Sequence, residues 1–172
     1  LLYDEDVKVV TMTAKQGSGK TFMTVGALLD MVVEQGNYEK LLIGKNTTPL
    51  DKWSYQGFTK GETDMKLLTH FNNYLTTLEN LHNKKGKDTN GMDLLYGLQS
   101  LNKLDVLDIS SILGSSFNNK AICIDEAQSF GITPMRSILT RPSDSCKLCI
   151  IGDIRQQTMT SLVEMTMGYM LL

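Results

Sequence analysis

Three short stretches of this 172-residue chain carry side chains suited to holding and attacking a phosphate. They are Ala14-Lys15-Gln16-Gly17-Ser18-Gly19-Lys20-Thr21, Asp125-Glu126-Ala127-Gln128 and Gly152-Asp153-Ile154-Arg155-Gln156-Gln157. In the first, Gly17 and Gly19 lack Cβ atoms, so consecutive N–H groups can curl around an oxyanion without steric cost. The loop Gln16, Gly17, Ser18, Gly19 runs into a helix that starts near Lys20. The free N–H groups and positive dipole end of that helix face the same anion. Lys20 adds a full charge for β- and γ-phosphates, and the Thr21 hydroxyl is placed to hold Mg2+. The pattern G-x-x-x-x-G-K-[ST] asks for glycine where Ala14 stands, the mildest replacement. Taken alone, the loop favours a phosphate site over the plainer reading, a glycine-rich β–α turn that happens to carry a lysine, and the rest of the chain must strengthen it.

The second stretch changes that balance. Ala121-Ile122-Cys123-Ile124 leads straight into Asp125 and Glu126, which describes a buried central strand with acids at its C-terminal tip. In an open α/β sheet, ligands sit outside that tip. The strand ahead of the glycine loop is expected to lie directly beside this one. Asp125 is then placed to hold the magnesium through water, and Glu126 to act as general base on an attacking water. Acids that follow strands also serve as helix caps, but the next helix has its own start signal in Thr133-Pro134. The third stretch follows another apolar run, Lys147 to Ile151. There Gln156 or Gln157 can hydrogen-bond a terminal phosphate or its water, while Arg155 reads as a surface arginine.

The elements that must position these groups follow from periodicity. Val7, Val9 and Thr11, with Val10 opposite, predict a buried strand before the loop. Phe22 to Gln35 has helical spacing at Val25, Leu28, Leu29, Val32 and Val33, with Met23 and Met31 expected to pack and Gly36 to cap. Leu41-Leu42-Ile43-Gly44 predicts a second strand, making a βαβ unit and hence a parallel sheet. Met65 to Leu81 places Leu67, Leu68, Phe71, Tyr74, Leu75, Leu78 and Leu81 on one helical side. A short helix is expected over Asp93 to Leu101 and a short strand over Leu104 to Ile109. Residues 45–64 and 82–92 read as long loops. In the first of these, Trp53, Tyr55 and Phe58 alternate with Lys45, Lys52 and Lys60. That pattern suits base stacking and phosphate contact, or equally a loop pinned to the domain by its aromatics.

Composition sets the class. The length fits a single domain over 1–172, with 41% hydrophobic and 21% charged residues, ordinary for a soluble globular protein. A net charge of −2 and a pI near 5.7 argue against a protein coated in basic surface for nucleic acid. No apolar run reaches the ~18 residues of a membrane span, and no secretory signal is visible. The chain opens on Leu1-Leu2 and closes inside an amphipathic segment, so both ends are expected to be trimmed from a longer protein. Three cysteines fit a reducing cytosol, so a cytoplasmic location is expected. Cys146 and Cys149 form a C-x-x-C, but His70 and His82 lie in a different segment, so ordinary thiols are expected rather than a metal site.

The stretches TMTAKQGSGKT, KAICIDEAQSFGITPMRSILTR and KLCIIGDIRQQ together resemble the PhoH-like ATPases, P-loop proteins related in core layout to superfamily 1 helicases. The similarity runs from about Val7 to Gln157. It implies a three-layer P-loop NTPase fold, with a mostly parallel central sheet flanked by helices. It also implies binding and hydrolysis of ATP with Mg2+, coupling to single-stranded RNA or DNA, and a bacterial or phage source. Carried onto this chain, it assigns Lys20 and Thr21 to phosphates and magnesium, Asp125 to magnesium, and Glu126 to water activation. Gln128 and Gln156 would be γ-phosphate sensors. Arg141 falls on the arginine of an L-T-R run whose role stays open.

The chain departs from the family pattern at Ala14. It also has Lys45-Asn46 where an arginine-proline is usual, and Leu113-Gly114-Ser115-Ser116 where a basic run is usual. The segment with a late arginine is not present, and losing basic residues weakens the case for nucleic-acid contact and for an arginine finger from a neighbour in a homo-oligomeric ring, which predicts ATP binding with slow hydrolysis. Two other readings compete. A thymidine-type nucleoside kinase also pairs a GKT loop with an I-D-E-A-Q box, but would need a zinc cluster and leaves G-D-x-x-Q unexplained. A non-catalytic module could use ATP only to order the Lys45–Asp64 loop for a partner.

Overall fold

The computed structural model describes residues 1–45, 74–82, 90–107 and 116–156. Five strands form one sheet: β1 (Val9–Thr13), β2 (Lys40–Lys45), β3 (Leu104–Leu107), β4 (Lys120–Asp125) and β5 (Lys147–Gly152). Their order is β1-β5-β4-β2-β3, and every pairing is parallel. Four helices accompany them: α1 (Lys20–Leu29), α2 (residues 74–82), α3 (Gly91–Ser100) and α4 (Ile132–Thr140).

Parallel strands covered on both faces need apolar residues at consecutive positions. β4 supplies them: Ala121 and Cys123 join the core that contains α1, α2 and α3, while Ile122 and Ile124 join the core under α4. β5 divides in the same way, with Cys149 and Ile151 on the first side and Leu148 and Ile150 on the second. The result is three layers, helices over each face of a parallel sheet, and all carboxyl ends on one edge.

Several expectations from the sequence are corrected here. β1 and β4 are not neighbours, because β5 runs between them. Two strand spacings therefore separate the glycine-loop strand from the acid strand, about 10 Å. β1 is also not buried: it stands at the edge of the described sheet, with Val10 inside and Val9 42% exposed. A strand with one neighbour buries one face well, and alternation alone cannot reveal which strand sits at an edge.

The helix expected over Phe22–Gln35 begins at Lys20 and changes at Asp30 into a π-helical turn through Glu34. Asn37 N–H bonds the Met31 carbonyl at 2.8 Å, and Gly36 closes the segment at φ +69°. Val33 faces solvent at 46% exposure, while Val32 stays buried, since at about 100° per residue Val33 falls off the face that Leu28 and Val32 share. Met23 is also exposed, since helical spacing puts it opposite Val25 and Leu28. Thr133 is not the cap of α4: Gly131 holds that position and Ile132 is the first helical residue, with Pro134 still inside the first turn.

The helix expected over Asp93–Leu101 is α3, capped by the Asn90 side chain accepting from Met92 N–H at 3.0 Å. The described part of the Met65–Leu81 expectation is α2, which buries Tyr74 and Leu78. Leu67, Leu68, Phe71, the Lys45–Asp64 aromatics, Gln157 and residues 83–89 lie outside the described residues.

Candidate functional site at the carboxyl edge of the sheet

The glycine loop leaves β1 and enters α1. Gly17 sits at φ +78° and Gly19 at φ +81°, the left-handed region that side chains with a Cβ avoid. A Cβ built on either would meet no atom within 4 Å, so backbone conformation rather than crowding calls for glycine, and the space beside the loop is open. Ala14 is not among the described residues with positive φ, and its N–H bonds the Gly152 carbonyl at 3.2 Å. The methyl group that departs from the pattern therefore costs no backbone strain. Ser18 N–H closes a turn onto the Lys15 carbonyl at 3.2 Å. Lys20 is only 8% exposed, and its Nζ lies 3.4 Å from that same Lys15 carbonyl. Thr21 follows in the first turn of α1, partly buried.

β4 ends in Asp125, which is 6% exposed. One carboxylate oxygen accepts from Glu126 N–H at 2.8 Å and the other from the buried Tyr74 hydroxyl at 2.5 Å. Burial and the Asp125 charge raise the Tyr74 phenol well above its ordinary pKa, so it acts as a donor. Glu126 breaks from the strand at φ +53°, a left-handed conformation that turns the chain into the short helical turn Ala127–Ser129. Such a conformation on a residue with a Cβ is held only by its surroundings. Here the Glu126 carbonyl accepts from Ser129 N–H at 2.8 Å and from the Ser129 hydroxyl at 2.6 Å.

Hydrogen bonds link the ends of β1, β4 and β5. Gln128 Nε2 donates to the Glu126 carboxylate at 2.5 Å and lies 3.4 Å from Gln156 Oε1. Gln156 Nε2 donates in turn to Gln16 Oε1 at 3.0 Å. Asp153 N–H donates to Gln128 Oε1 at 3.0 Å, and the Asp153 carboxylate accepts from Gln16 N–H at 3.0 Å and Arg155 N–H at 3.0 Å. Gly152 leaves room for this closure, since a Cβ there would fall 2.8 Å from Gln128 Oε1 and the amide would have to shift.

The structure thus gathers Gln16, Glu126, Gln128 and Gln156 into one bonded chain. Lys20 and Thr21 open α1, the helix that follows the glycine loop and packs on β4 and β5. The strand between β1 and β4 does not wall the two halves apart, because its own end supplies Asp153 and Gln156 to join them. Arg155 is exposed and touches the group only through its N–H. Two residues were missed by sequence reasoning. Asp153 was visible as part of a polar cluster, and a carboxylate right after a buried strand was the available signal. Tyr74 was read only as a packing residue, and nothing in its own stretch signals a polar role.

The three cysteines are free and buried, and Cys123 pairs with Cys149 across β4 and β5. Burial pushes the Cys149 thiol up to about 12 and raises Cys123 as well, which keeps both protonated. Among the described residues, no group of three or more His, Cys, Asp and Glu side chains is placed to hold a metal ion. No helix among the described residues is long and apolar enough to cross a membrane.

Comparison with known proteins agrees with this architecture. The family model for PhoH-like protein matches residues 2–169. Protein PhoH2 of Bacillus subtilis is 31% identical over 156 residues, covering 91% of this chain and 34% of that protein. Protein PhoH2 of Mycolicibacterium smegmatis is 26% identical over 159 residues, with 91% and 34% covered. Protein PhoH2 of Thermobispora bispora is 23% identical over the same length, again covering 91% and 34%. The chain therefore spans about a third of the length of these relatives. It belongs to the PhoH-like protein family, and its parallel five-stranded sheet flanked by helices is the P-loop NTPase fold of that family.

Proposed function

We propose that this chain binds ATP with Mg2+ at the glycine loop and hydrolyses it, using Glu126 as the general base. The observation that carries the reading is the hydrogen-bonded chain Gln16–Gln156–Gln128–Glu126, which draws residues from three strand ends to one edge. Support also comes from the open cradle at Gly17 and Gly19 and the buried ammonium of Lys20 beside it.

The donor set suits magnesium. Asp125 and Thr21 offer hard oxygens, and Mg2+ takes one or two carboxylates with the rest of its shell from phosphates and water. Bound there, the ion would neutralise charge on the phosphates. The remaining work falls to the chain. Backbone N–H groups of Gly17 and Gly19, with Lys20, bind and orient the phosphates, and those of Gln16 and Ser18 join them by leaving the Asp153 carboxylate and the Lys15 carbonyl. Glu126 takes a proton from the attacking water at its carboxylate. Gln128 and Gln156 report the terminal phosphate: its oxygens compete for the amide hydrogens that now bind Glu126 and Gln16, so occupancy frees the base. Coupling to single-stranded RNA or DNA, and a ring in which a neighbour completes the site, extend the proposal on the strength of family membership alone.

Phosphate release from ATP and magnesium, with and without single-stranded RNA, tests it. The wild type should turn over, faster with RNA, and Lys20→Ala should bring release to background. Release that ignores Lys20→Ala would reject the assignment. Tight ATP binding without release in any condition would instead favour the non-catalytic module.

A further inference from the structure

Asp125 is held by an element that none of the three strand-end loops contains. Tyr74, 51 positions away in sequence, is 2% exposed and places its hydroxyl 2.5 Å from Asp125 Oδ2. The opposite oxygen receives Glu126 N–H, so the two donors fix the plane of the carboxylate between them. The helix that carries Tyr74 is pinned on two sides. Leu81 packs against α1 at Gly26, where an added Cβ would lie 3.2 Å from Leu81 Cδ2. The Glu79 carboxylate accepts Gly91 N–H at 2.8 Å at the start of α3.

We propose that Tyr74 is a positioning residue for the magnesium-side acid: its hydroxyl fixes the Asp125 carboxylate in the orientation that the ion and its waters meet. The inference rests on the ATP reading above and adds a residue to it. A buried carboxylate that lacks such a donor must turn toward another partner or lose its charge. Groups that orient metal ligands in this way typically change metal affinity by about 10–100-fold when removed. The same helix ties α1 to the acid strand, so the donor stays in register with the glycine loop.

Tyr74→Phe keeps the ring and removes only the donor. The probes are binding of a fluorescent ATP analogue titrated with Mg2+, and Mn2+ binding followed by electron paramagnetic resonance in the presence of a non-hydrolysable ATP analogue. We expect nucleotide affinity in EDTA to stay at the wild-type value while the divalent ion is held about tenfold more weakly. In an Asp125→Asn background, Tyr74→Phe should add nothing further. An unchanged metal dependence, or an equal loss of nucleotide affinity with and without metal, would overturn the proposal and leave Tyr74 a packing residue. Wild-type protein that binds no nucleotide would overturn the ATP reading and this inference with it, an outcome distinct from failure of Tyr74 alone. If Tyr74→Phe folds poorly, 4-fluorophenylalanine at position 74 fills the volume of the hydroxyl without a proton, and the same outcomes decide.

Discussion

Two places in this molecule bury charged groups, and they do so differently. At the amino end of β5, Lys147 is 1% exposed, and its Nζ donates to the carbonyls of Leu1 at 3.0 Å, Asp4 at 2.8 Å and Val7 at 2.5 Å. All three acceptors belong to one stretch of backbone that leads into β1. At the carboxyl edge, Asp125 and Asp153 are each 6% exposed, and their partners come from separate elements: α2, the turn after β4, and the glycine loop. The lysine is enclosed by main chain and closes on itself. The acids are held by groups from different loops beside an open cradle. Buried charge by itself does not mark a site; convergence of separate loops on an open space does.

The comparison can be broken at either end. Replacing Lys147 by methionine removes the donor that three carbonyls share; those of Leu1 and Asp4 keep a backbone N–H, so the expected loss is about 1–3 kcal/mol, that of one group left without its partner. For a chain of this size, that lowers Tm by roughly 2–12 °C, since each kcal/mol is worth about 2–4 °C. Calorimetry should show the fall, and nucleotide affinity of the remaining folded protein should match the wild type. A loss of affinity as large as at the carboxyl edge would erase the distinction between the two regions.

Gly152→Ala attacks the other end. The new methyl would sit 2.8 Å from Gln128 Oε1, so Gln128 must shift and its bond from Asp153 N–H must lengthen. A stability loss of about 1–2 kcal/mol is expected from overpacking. A fall in phosphate release beyond what the unfolded fraction explains would locate the effect in the site. Unchanged release per folded molecule would mean that Gln128 has room to adjust.

The smallest effect belongs to a surface pair that neither region uses. Lys120 Nζ lies 2.6 Å from Glu39 Oε2 and holds that carboxyl below its ordinary range. A carboxyl depressed in the folded state stabilises above the unfolded pKa and loses that contribution as pH falls through the folded pKa. Glu39→Gln should therefore lower Tm slightly at neutral pH, and the difference from wild type should vanish as pH falls through the Glu39 pKa. A large change at neutral pH would contradict the view that exposed pairs matter little here.

Much of this arrangement is written locally. β4 could be read because two-sided burial demands four consecutive small or apolar residues, and Ala121, Ile122, Cys123 and Ile124 supply them. The glycine loop could be read because the left-handed turns at Gly17 and Gly19 favour glycine and leave it in the sequence. Strand order could not, since the placement of β5 between β1 and β4 depends on which helices cross which face, and no single stretch records that. For the same reason the exposure of Val9 escaped, as an edge strand and a central one can share one pattern. Val33 was misplaced because it sits at the margin of the apolar stripe, about 100° past Val32, where spacing alone does not decide burial. Tyr74 fitted an apolar stripe so well that its hydroxyl drew no notice. Its partner lies 51 residues away, and only the folded chain brings them together.

The central claim is that the three strand ends form one hydrolytic centre with Glu126 as its base. Phosphate release and nucleotide affinity measured side by side on Glu126→Gln test it most directly. The account predicts wild-type affinity for ATP with magnesium and release reduced by about 10²–10⁴-fold, the usual contribution of a positioned general base. Release at the wild-type rate from Glu126→Gln would show that water activation happens elsewhere.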